Sequence, residues 1–545
     1  MFDVVVKDIK YAVRSLMKRR GFTVLAVITL ALGIGINTSI FSVLNAVLLR
    51  PLPYADEARL VAIDETDGKG GMAVSPPNLL DFQQQNHTFE GIAGYTGGSF
   101  IFTGSGDPIR VSSQEVTPNL TDVLGVRPIL GRSFTGEESK AGQNRVALIA
   151  YSFWQRNFGG DKEVIGRQIT LDNKSYSIAG VMPADFEFPI EAEKVELWVP
   201  FVQPEETGLR GAHYLNAIGR LKPGVSIDQS RADLELITQR LHAQFPDLVP
   251  GKAKVVALKQ DVVGKVRPYL LMLAGAVMLV FLIAAANVTS LMLARAAERH
   301  KEIALRAALG ASRSRQLRHF LAESLILSIL GSGIGLLLAS WATDLLITIA
   351  PASDLPRLRG AHLDGSVLLF ATASFLICVA LLGVIPSLRV SAANLYTTLK
   401  EGEIHSATAP RQALRKGLVV FEVTLAFVLL CGAGLLIKTL AKLNDIEPGF
   451  DPNNVLVAEI VLPTSKYPDD ARKNAFFNQL LERVGALPDV VTAGGTSNLP
   501  MSGTNMLFML EVDGQPGKRM PAGFRAVTSD YFKTMRIPVL NGRSF

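Results

Sequence analysis

Residues 295–323 lie between two long apolar runs and bring charged and apolar groups together at helical spacing. Arg295, Arg299, Lys301, Arg306, Arg313, Arg315 and Arg318 outnumber Glu298 and Glu302. Glu298, Glu302 and Arg306 fall at i, i+4 and i+8. They line one helix face, and Glu302 pairs with Arg306 in the favourable order. Ile303, Ala307 and Leu309 supply apolar surface beside them. Gly310 ends this helix and Ser312 caps the next. The chemistry on offer is ion pairing and docking. A half-apolar, half-charged helical elbow of this kind fits a groove on a partner protein. A short cytoplasmic loop that only fixes topology would also be basic, but it would not need the paired charges and capped turn of residues 302–312.

Glu422 is the one acidic residue inside an apolar run, and a membrane carboxylate is a functional candidate by default. It follows Lys416 closely, so snorkelling to the inner interface, or pairing with Lys416 or Arg415, is the favoured reading. No G-x-x-x-x-G-K-[ST] phosphate loop, G-x-S-x-G elbow or H-E-x-x-H pair is present. Cys378 and Cys431 both sit in apolar runs, so no disulfide is implied. The seven histidines, among them His87, His213, His300 and His405, are scattered and read as surface or loop residues. The expectation is a chain with no catalytic, metal or cofactor site, drawing any ATP energy from a partner.

The elements around the elbow explain its position. The 545 residues are 48% hydrophobic, with mean hydropathy +0.27, too apolar for an ordinary soluble protein. The net charge of +6 follows from basic cytoplasmic segments and does not require nucleic acid. Residues 1–21 read as a cytoplasmic amphipathic helix, with Val6, Ile9, Val13 and Leu16 opposite Lys7, Lys10, Arg14 and Lys18. Apolar runs, free of charge except for Glu422, mark spans at 22–49, 268–294, 324–343, 365–388 and 417–437, against about 20 residues needed to cross a bilayer. Lys18, Arg19 and Arg20 place the N-terminus in the cytoplasm. The polar end of the first span, from Asn37 to Asn45, reads as a stalk beyond the membrane. Gly331, Gly333 and Gly335 in the third span allow close helix contact.

Residues 50–266 are polar. Short β-rich runs (145–151, 176–182), turns and a helix over 227–241 predict an α+β extracytoplasmic domain, with Trp154, Trp198, Phe186 and Phe188 in its core. Beyond Ile437 the chain is polar again, with a strand expected at 454–462 and a helix at 474–487. Residues 116–134 align without gaps to 527–545. This internal repeat divides the chain into one four-span unit and the start of a second. On that reading 438–545 is an incomplete second core domain, and Val539 and Leu540 are expected to be exposed.

Glu302-Ile303-Ala304-Leu305-Arg306 with Leu309-Gly310-Ala311-Ser312 resembles the coupling helix of FtsX-like and MacB-type ABC transporter permeases. VSPPNLLDF, EVTPNLTDVLGVRPILGRSF and SFWQRNFGGDKEVIGRQITLD are similar to the extracytoplasmic core domain of the same family, and TTLKEG to the segment closing its permease domain (here 267–400, with the coupling loop at 295–323). With the repeat, the chain resembles the duplicated, acidobacterial-type orphan permeases, C-terminally truncated. The resemblance implies a membrane protein with an α-helical transmembrane bundle of about five spans and α+β extracytoplasmic domains. It implies a multi-pass location in the bacterial cytoplasmic (inner) membrane and contact with membrane lipids. It also implies a dimeric or pseudo-dimeric export permease whose ATP is bound by a separate cytoplasmic ATPase. That ATPase would meet Glu302, Ile303, Arg306, Gly310 and Ala311 and drive the outer domain by mechanotransmission, with an extracytoplasmic partner possible in principle. The alternative is an FtsX-like regulatory protein controlling an extracytoplasmic enzyme.

Overall fold

The computed structural model describes residues 2–298, 313–349, 357–384 and 409–544, apart from 67, 69–70, 105–106, 191–193, 204–209, 247, 447, 461, 463–465, 468, 502–505, 512 and 515–518. The chain divides into two compact units. One comprises Met1–Phe100, Arg110–Ile169 and Tyr176–Ala433; the other comprises Ile101–Ile109, Thr170–Ser175 and Gly434–Phe545.

In the first unit, helix α1 (Phe2–Lys18) precedes α2 (Arg20–Leu44), which a π-helical turn at Asn45–Leu49 extends. Ala12, Ser15 and Leu16 of α1 are buried, whereas Ile9 and Val13 are each 38% exposed. The apolar stripe expected from the sequence is therefore split. Small residues beside it let α1 approach its neighbours, and Ile9 and Val13 face outward, where an interfacial helix would meet lipid.

The core domain follows, with strands β1 (Leu60–Thr66) and β2 (Gly71–Met72), helix α3 (Pro76–Gln85), then β3 (Phe89–Thr103), β4 (Ile109–Val116) and α4 (Leu120–Leu124). Next come β5 (Leu130–Gly131), β6 (Val146–Ile149), α5 (Tyr151–Phe158), β7 (Gln168–Leu171), β8 (Lys174–Val181), β9 (Leu197–Pro200), β10 (Asn216–Leu221), α6 (Ile227–Gln244), β11 (Lys252–Ala257) and α7 (Leu258–Gly264). The sheet path runs β11-β1-β10-β3-β4-β9-β6-β8-β5. It is mixed: β1 pairs antiparallel with β10 and β11, and β4 pairs parallel with β9. The expected strand at 145–151 is shorter than its apolar run, because Tyr151 already opens α5. Helix α6 starts at a capping box, with Ser226 accepting from the Gln229 amide and the Gln229 side chain accepting from the Ser226 amide. Its inner face (Leu234, Ile237, Leu241) packs with Val61, Ile63, Phe82 and Val255. Trp154, Trp198, Phe186 and Phe188 are buried, as their apolar contexts imply, and the Trp198 Nε1–H donates to Phe188 O at 2.9 Å.

Among the described residues, five helices are long and apolar enough to cross a membrane: Arg20–Leu49, Arg267–Arg295, Leu321–Ile349, Gly365–Gly383 and Lys416–Asn444. The second is part of α8 (Arg267–Glu298), and the third belongs to a helix spanning Arg313–Ile349. The first and third cross closely. A Cβ on Gly331 would lie 2.7 Å from Leu30 Cβ, and one on Gly335 would lie 3.1 Å from Ala31 O. A Cβ on Gly333 would meet nothing within 4 Å among the described residues. Of the three glycines expected at the contact, only the two spaced four apart reach it, because Gly333 lies on the opposite side of the helix.

The polar end of the first span is packed against neighbouring helices. Asn37, Thr38, Ser39, Ser42 and Asn45 are all buried. The Asn37 amide donates to Val277 O at 2.9 Å, Ser39 and Thr343 hydroxyls meet at 3.0 Å, and Asn45 donates to Asp364 at 2.7 Å. These side chains join helices because a polar group facing other helices is satisfied there, whatever the thickness of the bilayer.

In the second unit, helix Asp470–Gly485 begins earlier than the sequence suggests, because Asp469 caps it by accepting from the Arg472 amide at 2.8 Å. Strands β12 (Met506–Glu511) and β13 (Arg519–Phe524) pair antiparallel. The strand expected at 454–462 does not form at its described residues: Asn454 has φ +59 and Leu456 is 98% exposed. Strand propensity needs a neighbouring strand to pair with. Val539 and Leu540 are exposed.

The repeat is visible in the backbone. Thr117 and Gly94 exchange bonds, the Thr117 amide donating to Gly94 O and the Gly94 amide to Thr117 Oγ1. Thr528 and Gly495 make the same pair. A short helix follows each threonine, α4 in the first copy and Tyr531–Thr534 in the second. Each then turns at a left-handed residue, Gly125 (φ +65) or Arg536 (φ +53). Leu124 and Met535 fill the same buried position.

Candidate functional site at the base of the elbow

The elbow residues Glu302, Ile303, Arg306, Gly310 and Ala311 lie outside the described residues, as do His300 and His405. The two helices that enter and leave it are described, and they meet in a buried polar cluster. Arg295 stands near the end of α8 and Glu323 near the start of the third span, each side chain 5% exposed. Arg295 Nη1 lies 3.6 Å from Glu323 Oε2. Between them comes Ser15 of α1. Its hydroxyl donates to Glu323 Oε1 at 2.6 Å and accepts from Arg295 Nη2 at 2.9 Å, and the Ser15 carbonyl accepts from the same nitrogen at 3.1 Å. The guanidinium also lies 4.9 Å from the centroid of the Phe22 ring, within cation–π range.

The arrangement joins three helices through one ion pair. A buried pair is costly to desolvate, but removing one member is costlier still, because the other keeps its desolvation penalty and loses the attraction that offset it. The cluster therefore holds α1, α8 and the third-span helix in one register at the foot of the elbow. Both charges bound the basic stretch in the sequence. Nothing local reveals that they face each other, or that Ser15, some 280 positions away from Arg295, bridges them.

Glu422 sits in the helix Ala409–Asn444 and accepts from the Ser290 hydroxyl of α8 at 3.3 Å. This is a hydrogen bond to a neighbouring helix. Arg415 has no described side chain, and Lys416 is exposed.

A second polar cluster lies inside the core domain. Glu65 of β1 is wholly buried and accepts from the Asn78 amide at 2.6 Å, while its other oxygen meets His213 Nδ1 at 2.8 Å. Arg210 donates to Asn78 Oδ1 and to Asp81, each at 2.6 Å. His213 lies in a loop, as the sequence suggests, but its ring is bound on both sides, with Nε2 at 3.0 Å from Leu248 O. Burial alone would lower the His213 pKa; the bond to Glu65 and its charge outweigh that and raise it above the ordinary histidine value. Among the described residues no group of three or more His, Cys, Asp or Glu could hold a metal ion.

The profile of the MacB-like periplasmic core domain matches residues 23–237, and that of the FtsX-like permease C-terminal domain matches residues 274–395. The macrolide export ATP-binding/permease protein MacB of Campylobacter jejuni is 24% identical over 310 residues, covering 56% of this chain and 46% of the relative. The pyoverdine export ATP-binding/permease protein PvdT of Pseudomonas syringae pv. syringae is 26% identical over 250 residues, covering 43% of this chain and 36% of the relative. The chain thus spans less than half the length of these curated relatives. The periplasmic region of MacB from Actinobacillus actinomycetemcomitans superposes with a TM-score of 0.29 at 13% identity, covering 39% of this chain and 94% of that one. With a periplasmic core domain followed by an FtsX-like permease domain, and with apolar helices suited to a membrane bundle, the chain belongs to the MacB-type, FtsX-like ABC transporter permeases of the bacterial inner membrane.

Proposed function

We propose that this chain is the membrane-spanning part of an export system powered by an ATPase on the cytoplasmic side. The ATPase docks on the elbow through Glu302, Ile303, Arg306, Gly310 and Ala311. Its closure moves α8 and the third-span helix together, and the first and second spans carry that movement to the core domain. The single observation behind this reading is the Arg295–Glu323–Ser15 cluster: a device that couples two helices at the foot of a loop suits a loop that is pushed. The names of the curated relatives, which pair ATP binding with export, support the class of partner and the direction. The basic residues at 18–20 support a cytoplasmic N-terminus. The same reading divides the chain into an interfacial helix at 1–21, a core domain at 50–266, a permease domain at 267–400 and a second core segment from 438.

Co-purification tests the docking. The solubilised chain is expected to retain a soluble ATPase, and the double charge reversal Glu302→Arg with Arg306→Glu to release it. Retention by the double variant would refute the assignment. Capture of a cell-wall hydrolase by the core domain, with no exported ligand bound, would instead favour the regulatory role.

A further inference from the structure

A cleft of about 810 Å³ lies where the core domain meets the outer ends of the spans. The membrane side of its lining is apolar: Ala46 from the end of the first span, Ile347 from the end of the third and Leu358 from the loop that follows. Two guanidinium groups stand at this level. Arg357 donates to the carbonyls of Arg50 at 3.0 Å and Pro51 at 2.9 Å. Arg50 is held more loosely. Its contacts to Gly360 O and His362 Nε2 are 3.5 and 3.3 Å long, the carboxylate of Asp364 is 3.9 Å away, and its side chain is 38% exposed. Neither arginine is neutralised by a close carboxylate bond among these contacts.

The opposite side comes from the core domain and carries acid. Asp185 is exposed at the cleft, and Glu187 lies beside it with Lys194 at 3.6 Å. In chain order the lining offers apolar residues of the spans, guanidinium groups just past the span ends, and carboxylate on the core-domain side. An amphiphile whose chains, phosphate and terminal ammonium follow one another in that order is complementary at each level. Guanidinium matches phosphate geometry with two parallel donors, and clefts of about 300–1,000 Å³ suit a ligand of headgroup size.

We propose that this cleft binds the headgroup of a zwitterionic, amine-bearing phospholipid from the outer leaflet. The phosphate sits between Arg50 and Arg357, the ammonium points to Asp185, and the first methylenes lie along Ala46 and Ile347. The site does not depend on ATPase docking, and its occupancy is measured without nucleotide. It would seat a lipid against both the spans and the core domain, so that movement between them is felt by the lipid.

Native mass spectrometry of the detergent-solubilised full chain tests this with short-chain phosphatidylethanolamine, short-chain phosphatidylglycerol and inorganic phosphate. One phosphatidylethanolamine per chain is expected, in preference to phosphatidylglycerol. Arg50→Gln is expected to weaken it about tenfold, as for loss of one charge-assisted bond. Asp185→Asn, at an exposed position, is expected to abolish the preference between the two lipids. Filling the apolar wall by Ile347→Trp is expected to reduce binding of both, which keeps the test decisive if the Arg50 variant does not fold. The proposal is overturned if wild type binds both lipids equally, if inorganic phosphate displaces the lipid at equal concentration, or if the Asp185 and Ile347 variants bind as wild type does.

Discussion

Arg295 and Glu323 face each other 3.6 Å apart in a buried site closed by the Ser15 hydroxyl, so the two helices flanking the elbow are tied to each other and to the N-terminal helix. Glu323→Gln removes one charge of this buried pair. It is expected to cost about 3–5 kcal/mol, as removal of one partner of a buried pair does. Replacing both, Arg295→Met with Glu323→Leu, is expected to cost much less than the sum of the single changes. Chemical unfolding in detergent micelles, run as a double-mutant cycle, reads the coupling; additive single effects would show that the pair does not act as a unit.

The glycines of the third span separate a packing role from a mere tolerance of small residues. Gly331→Leu drives a side chain into Leu30 and is expected to destabilise the bundle by about 1–3 kcal/mol. Gly333→Leu points into open space and is expected to stay within about 0.5 kcal/mol of wild type. Equal losses at both positions would contradict the crossing observed at Gly331 and Gly335.

The His213–Glu65 bond predicts how the core domain responds to pH. The folded pKa of His213 is raised above its unfolded value. The stabilisation is therefore fully present below the unfolded pKa and is lost as pH rises through the folded one. Hydrogen exchange in β1 and α3 of the intact protein is expected to quicken between mildly acidic and mildly alkaline pH, beyond the intrinsic chemical rate. His213→Gln is expected to remove that pH-dependent increment. An unchanged profile in the variant would assign the effect to another group.

Residues beyond Ile437 are expected to be digested faster than the core domain during limited proteolysis of the membrane-embedded chain. Leu456, Val491 and Leu540 are 98%, 93% and 89% exposed, whereas Val61, Ile63, Phe82 and Leu234 of the core domain are wholly buried. Local openings follow such differences in apolar burial. Equal protection of both regions would show that the second is covered by a partner.

Much of this protein is written locally. The apolar helices, the capped start of α6 and the short strands follow from periodicity, capping chemistry and turn residues, each contained within a few neighbouring positions. The short helix and left-handed turn after Thr117 and Thr528 are equally local, whereas their bonds to Gly94 and Gly495 reach back along the chain. Family resemblance was legible for the same reason, since the motifs are contiguous.

What the tertiary structure decided concerns partners. Propensity at 454–462 favoured a strand, but among the described residues no strand pairs with it and Leu456 is 98% exposed. Asn37 and Asn45 looked like groups meant for water, and they instead bind Val277 and Asp364. The sequence placed Arg295 and Glu323 at the two ends of one basic stretch; only the rotation of each helix about its axis turned them toward each other and toward Ser15. Helix formation depends on the next few residues along the chain. The face a helix presents to its neighbour depends on how all the helices pack, and that is settled only when the bundle assembles.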